Sequence, residues 1–114
     1  MDNKKTYVVH LHKHEYDVYI GRPSKWENPY THKELNKTLA KEKTSSRTEA
    51  IEKYESYLID SGLIKDVGEL NGKILGCWCC EGICDGSESR IICHGQVLAR
   101  ILNRNKNDNQ IQLL

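Results

Sequence analysis

The stretch from Gly72 to Leu102 constrains this chain more than any other. It holds all five cysteines, Cys77, Cys79, Cys80, Cys84 and Cys93, and His94 follows the last of them directly. Thiols crowded this closely need a chemical reason, because exposed ones oxidise and buried ones rarely cluster. Cys77 and Cys79 alternate along an expected strand. They therefore share a face, with Trp78 on the other and Cys80 opposite Cys79.

Three chemical readings compete for such a cluster. Zn²⁺ takes thiolate and imidazole ligands, so Cys77, Cys79, Cys93 and His94 form the expected set, with Cys84 as the alternate. Four such ligands make a closed, structural site, whereas three leave a position for a reactive water. A redox or catalytic thiol also fits the Cys-x-Cys step beside Cys80. A disulfide framework does not fit an odd number of cysteines in a chain with no secretory leader. Against all three stands packing of the cysteines as small core residues.

At 114 residues the chain reads as a single domain with a modest core of its own. Its formal net charge is +1, which argues against a duplex-DNA binder but leaves room for a small anion held by one or two basic groups. No apolar run approaches the roughly 20 residues of a membrane span, so no membrane partner is expected. A soluble, reducing, cytoplasmic setting follows as the expectation.

In chain order, β-formers predict strands over Thr6–Leu11, Tyr16–Ile20 and Lys73–Trp78. The second strand runs into Gly21-Arg22-Pro23. The loop after it carries Trp26, Asn28 and Tyr30, a pair of aromatics flanking an amide. Trp26 reads equally as a stacking platform and as a core plug. His32–Lys43 is highly charged and reads as an exposed, mobile segment with at most a short helical turn. Ser46 as N-cap and Glu49 three residues on make a capping box. A helix follows over Arg47–Ser61, with Ala50, Ile51, Tyr54, Tyr57, Leu58 and Ile59 on one face, and Gly62 stops it. Ile64–Asn71 reads as a short helix or turn. A final helix starts near His94. The folded core is expected over 6–102, with a fraying polar tail at 103–114.

Strand, strand, helix, strand, helix predicts a small α/β domain. Its sheet is short and mostly parallel, with flanking helices in a Rossmann-like arrangement and the metal site near the C-terminal helix. Ligands of such sheets sit beyond the carboxyl ends of the strands. Those ends are Gly21-Arg22 and Cys77–Cys79, so two clusters distant in sequence are predicted to meet.

Two motif blocks carry a resemblance. Tyr19-Ile20-Gly21-Arg22 with Trp26 and Asn28-Pro29 is one; Cys77-Trp78-Cys79 with Cys93-His94-Gly95 is the other. Together, over roughly Tyr7 to Leu102, they resemble the family known as domain of unknown function 4326, found in bacteria, phages and large viruses. Glu27 and Tyr30 stand where its members usually have Gly and Phe. The stretch with Cys80 and Cys84 is an insertion relative to the usual short link. The resemblance implies a family and no activity.

From these residues the expected function is a zinc-containing α/β domain that binds a nucleotide-like or other anionic small molecule. Its catalytic form would be a hydrolase or transferase acting on a nucleotide derivative. Arg22 and Arg47 would hold phosphate or carboxylate. Tyr19, Gly21 and Asn28 would frame and read the ligand, and Trp26 or Tyr30 would stack on it. Asp17 or Glu49 would act as general base or hold a ribose hydroxyl. The competing expectation is a non-enzymatic, zinc-stabilised interaction module for a protein or for single-stranded nucleic acid.

Overall fold

The computed structural model describes residues 4–31, 33 and 42–112. A three-stranded sheet is built from β1 (Tyr7–His10), β2 (Val18–Tyr19) and β5 (Ile74–Cys77), in the order β1-β5-β2. Both outer strands run parallel to β5, with Val8 opposite Leu75 on one side and Val18 opposite Leu75 on the other. A second pair, β3 (Tyr30–Thr31) and β4 (Glu42–Lys43), is also parallel. The expected α/β domain with a parallel sheet is what forms.

β1 and β2 follow each other in sequence yet do not pair. β5 comes between them, and the chain reaches it by crossing from β2 through α1 (Arg47–Ser61) and a 3₁₀ segment (Leu63–Leu70). Ser46 caps α1 by accepting the Glu49 N–H at 3.1 Å. Gly62 ends it with φ of 86°, a left-handed turn that a side chain would strain. Ala50, Ile51, Tyr54 and Leu58 form the buried face of the helix. Ile59, expected on that face, points to solvent at 59% exposure.

The core gathers Val8, Leu75 and Ile20 from the sheet, Tyr54 and Leu58 from α1, and Val97 and Leu98 from α2 (His94–Gln112). Gly95 explains how α2 sits so close. A Cβ there would lie 2.7 Å from Val8 Cγ1 and 2.8 Å from Ile20 Cδ1, so only glycine lets the first turn press onto the sheet.

The core does not end at residue 102. Asn103 is buried, accepts the Thr6 N–H at 2.9 Å and donates to the Thr6 carbonyl at 2.9 Å. The stretch read as a polar tail continues α2 as far as Gln112. Residues 32 and 34–41 of the charged segment lie outside the described residues. Among the described residues no helix is long and apolar enough to cross a membrane.

Candidate functional site

A cavity of about 320 Å³ opens at the carboxyl ends of β2 and β5. Gly21 and Arg22 enter it from beyond β2, and Trp78 and Cys79 from beyond β5. Tyr30, Thr31 and Lys33 wall it on one side. The first turns of both helices reach it, with Arg47 from α1 and Cys93 and His94 at the start of α2. The two clusters predicted to meet at one sheet edge do meet here.

Arg22 is half buried and shapes the wall. Its Nε donates to the Asn28 carbonyl at 2.7 Å and its Nη2 to the Tyr30 carbonyl at 2.9 Å. Burial lowers its pKa from the ordinary arginine value. Asn28 is likewise engaged at both ends. Its Nδ2 donates to the Ala50 carbonyl at 3.1 Å, and its Oδ1 accepts the Tyr30 N–H at 3.0 Å. These two residues fasten the 22–30 loop to α1, and the loop in turn forms the pocket.

Arg47 differs from both. It lines the pocket, is exposed, and no hydrogen bond or ion pair among the described residues holds its guanidinium. It is also the first residue of α1, where the positive end of the helix dipole disfavours a cation. Its position therefore carries a small cost, offset in part by attraction to the Cys79 thiolate.

The thiols follow a different plan from alternation along a strand. β5 ends at Cys77, so Trp78, Cys79 and Cys80 lie in the bend beyond it, where the two-residue period no longer applies. All five cysteines are free thiols. Cys79 is exposed on the pocket wall. Cys93 is buried behind it, with its Sγ 3.0 Å from Cys77 Sγ. Cys93 Sγ also accepts the Gly95 N–H at 3.3 Å, so the sulfur caps α2. Gln96 Oε1 reaches back to the Ile92 N–H at 2.7 Å and completes a capping arrangement.

A hydrogen bond from Cys93 holds the Cys79 thiol down to about 6, with Arg47, Arg22 and Lys33 acting in the same direction. The bonds to Cys77 and Cys79, together with burial, push Cys93 well up. Cys93 has one S–H and serves one sulfur at a time. In the structure the sulfur paired with it is that of Cys77, at 3.0 Å.

Cys80 and Cys84 form a separate pair, Sγ to Sγ 3.1 Å, outside the pocket. Cys80 is buried and donates to the Gly82 and Val8 carbonyls at 3.0 and 3.3 Å. It is a core thiol, whereas Cys79 is exposed. Burial and its contact with Cys80 push Cys84 up to about 12.

His94 is buried, with its Nε2 2.7 Å from the Ile20 carbonyl. A carbonyl only accepts, so Nε2 carries the proton and Nδ1 the lone pair. Burial lowers its pKa to about 4, which keeps the ring neutral.

Three expected site residues stand elsewhere. Asp17 is at the amino end of the sheet, where its Oδ2 accepts the Ile74 N–H at 2.8 Å and locks β2 against β5. Glu49 spends its carboxylate on the Ser45 N–H and hydroxyl at 2.7 and 2.9 Å, outside the pocket lining. These bonds lower its pKa, and it serves as a cap. Trp26 is a core residue at 3% exposure, and its carbonyl accepts the Tyr54 hydroxyl at 2.7 Å. Tyr19 lies beside the pocket, donating to the Arg22 carbonyl at 2.7 Å.

Two aromatics line the pocket wall, Tyr30 and the more exposed Trp78, at 54% exposure. The geometry of Trp78 is set by two contacts. Its Nε1 donates to Tyr19 Oη at 3.1 Å, and its ring meets that of His12 edge-on at 4.9 Å. Sequence reasoning assigned it to the far side of a strand. The usable signal is that β5 has only four residues and stops before it.

The cysteine and histidine groups were tested as a metal site. Among the described residues, no three or more His, Cys, Asp or Glu side chains are grouped as a metal would require. Cys79, Cys93 and His94 line one cavity, and Cys77 Sγ lies 3.0 Å from Cys93 Sγ.

A family model described as "Domain of unknown function" matches residues 4–104. An uncharacterised protein of Acanthamoeba polyphaga mimivirus is 36% identical over 99 residues, covering 75% of this chain and 65% of that protein. The chain thus spans slightly less than two thirds of the relative's length. No solved structure matches it. Gly21-Arg22 and Cys79 with Cys93-His94, from the two motif blocks that carry the resemblance, line the pocket. With the match running over almost all of the described fold, the chain belongs to the family Domain of unknown function (DUF4326).

Proposed function

We propose that the protein binds a small anionic, nucleotide-like molecule in the cavity beyond β2 and β5. The observation that carries this is Arg47, an unheld cation at a helix start, facing a pocket that also presents Arg22, Lys33 and the exposed ring of Trp78. Arg47 and Lys33 supply charge for a phosphate or carboxylate. Trp78 offers a stacking face. Arg22 and Asn28 keep the wall in place. The likeness to Rossmann-like sheets, which take ligands at this edge, belongs to the same reading. Any hydrolase or transferase chemistry would fall to Cys79 and neutral His94, the reactive groups that line the cavity. A thermal-shift panel of nucleosides against their phosphates tests the binding. A phosphate ester at a hundredfold excess over its Kd stabilises by about 2.7 kcal/mol. Nucleosides and nucleotides without effect sink the reading.

A second reading places Zn²⁺ at the thiol end. It is favoured by Cys93, whose Sγ lies 3.0 Å from that of Cys77 and which shares the cavity wall with Cys79. Those three thiolates and His94 Nδ1 would be the ligands, and the metal would pin α2 to β5. Elemental analysis of protein purified without chelators decides it, with about one zinc per chain expected on this reading.

A further inference from the structure

We infer that Cys79 and Cys93 form a thiol–disulfide exchange couple opening onto the pocket, with a small acidic disulfide as substrate. The inference rests on the anion-binding reading of the pocket. Three sulfurs run inward from solvent: Cys79 exposed on the wall, Cys93 buried behind it, and Cys77 with its Sγ 3.0 Å from that of Cys93. Packing alone calls for buried thiols, and Cys79 is not buried. A solitary reactive thiol needs no second sulfur behind it, yet Cys93 lines the same cavity as Cys79. An accessible sulfur to enter, a sheltered one to resolve and cations to select the substrate are the parts an exchange site needs.

The step balances as follows. The Cys79 thiolate attacks one sulfur of R–S–S–R; the new S–S bond forms, the old one breaks, and the first thiolate leaves. Cys93, giving its proton to solvent, then attacks Cys79 Sγ and displaces the second thiolate. The Cys79 and Cys93 thiols lose two electrons, the disulfide gains two, and the two released thiolates take up two protons. Cys93 is a thiol at rest, and the Gly95 N–H at the start of α2 donates to its sulfur as the proton leaves during the second attack. Arg47 and Lys33 face the acidic arms of the substrate. The Cys80–Cys84 pair lies outside the pocket and is an internal control.

The test mixes the reduced full-length chain with glutathione disulfide, quenches with acid, and maps adducts by peptide mass over time. Zinc content is measured on the same sample. A glutathione adduct should appear first on Cys79 and give way to a Cys79–Cys93 disulfide. Cys79→Ser should show neither, and Cys93→Ser or Cys93→Ala should hold the adduct. Should both Cys93 variants fail to fold, the order of species in the wild type carries the same information. Arg47→Gln should slow the acidic disulfide about tenfold and leave the neutral hydroxyethyl disulfide unaffected. A first adduct on Cys80 or Cys84, no following disulfide, equal slowing of both probes, or stoichiometric zinc on the thiols overturns the inference. Nucleotide binding by Cys79→Ser, read by thermal shift, tests the pocket separately. Binding there without exchange in the wild type leaves the pocket reading standing and removes the couple.

Discussion

His94 Nε2 donates to the Ile20 carbonyl across 2.7 Å, so the first residue of α2 is tied to the end of the second strand segment. One bond thereby joins the two sequence motifs and closes the floor of the pocket. It also fixes the tautomer and leaves the Nδ1 lone pair as the ring's acceptor.

This bond has a pH signature. Burial depresses the folded-state pKa of His94 to about 4 against an ordinary 6.5. Between those values the unfolded chain binds a proton that the folded chain refuses, so stability falls as pH falls. The contribution is complete above about 6.5 and has been lost by about 4, a difference of roughly 3 kcal/mol. Denaturant melts of wild type and His94→Gln across pH 4 to 7 check it. The variant should show a flatter dependence through that window.

The two pocket arginines should separate stability from binding. Arg22→Ala removes charge-assisted bonds to the Asn28 and Tyr30 carbonyls and should cost about 2 kcal/mol. Arg47→Ala removes no such bond and should change stability by less than about 0.5 kcal/mol. Chemical denaturation of both variants checks this. Equal losses would mean that Arg47 also holds the fold.

The tryptophans should divide in the same way. Trp26 is a core side chain, and Trp26→Ala should cost about 3–5 kcal/mol, a large part of the stability of a small domain. Trp78→Ala loses a bond to Tyr19 and an exposed edge contact, so about 1 kcal/mol is expected. Melting temperatures rank the two directly.

Ending the chain at Leu102 removes Asn103 and leaves the backbone N–H and carbonyl of buried Thr6 without those partners. Unsatisfied buried groups cost about 1–3 kcal/mol each. A truncated chain should therefore melt several degrees below one ending after Asn103.

The sequence made the α/β class, the crossover from β2 to β5, the extent of α1 and the meeting of Gly21-Arg22 with the Cys77–Cys79 end of the next strand readable, because each rests on local periodicity, caps and the direction of parallel strands. It was less informative where tertiary contacts decide. Trp78 and Cys80 looked like members of an alternating strand, but β5 stops at Cys77 and alternation stops with it. Trp26 had two equal readings until Tyr54 bonded its carbonyl. Asp17 and Glu49 looked like reactive carboxylates, and both are consumed by backbone N–H groups. Asn103 looked like the start of a tail because a polar residue paired with a distant strand leaves no periodic trace.

The most direct measurement is calorimetric titration of adenosine monophosphate into the full-length wild type and the Arg47→Gln variant, at matched salt. Saturable binding at a single site in the wild type, weakened about tenfold or more in the variant, is the expected result. Saturable binding of equal strength in both proteins, or no binding heat in the wild type, contradicts the assignment of the cavity beyond β2 and β5 as a site for a nucleotide-like anion.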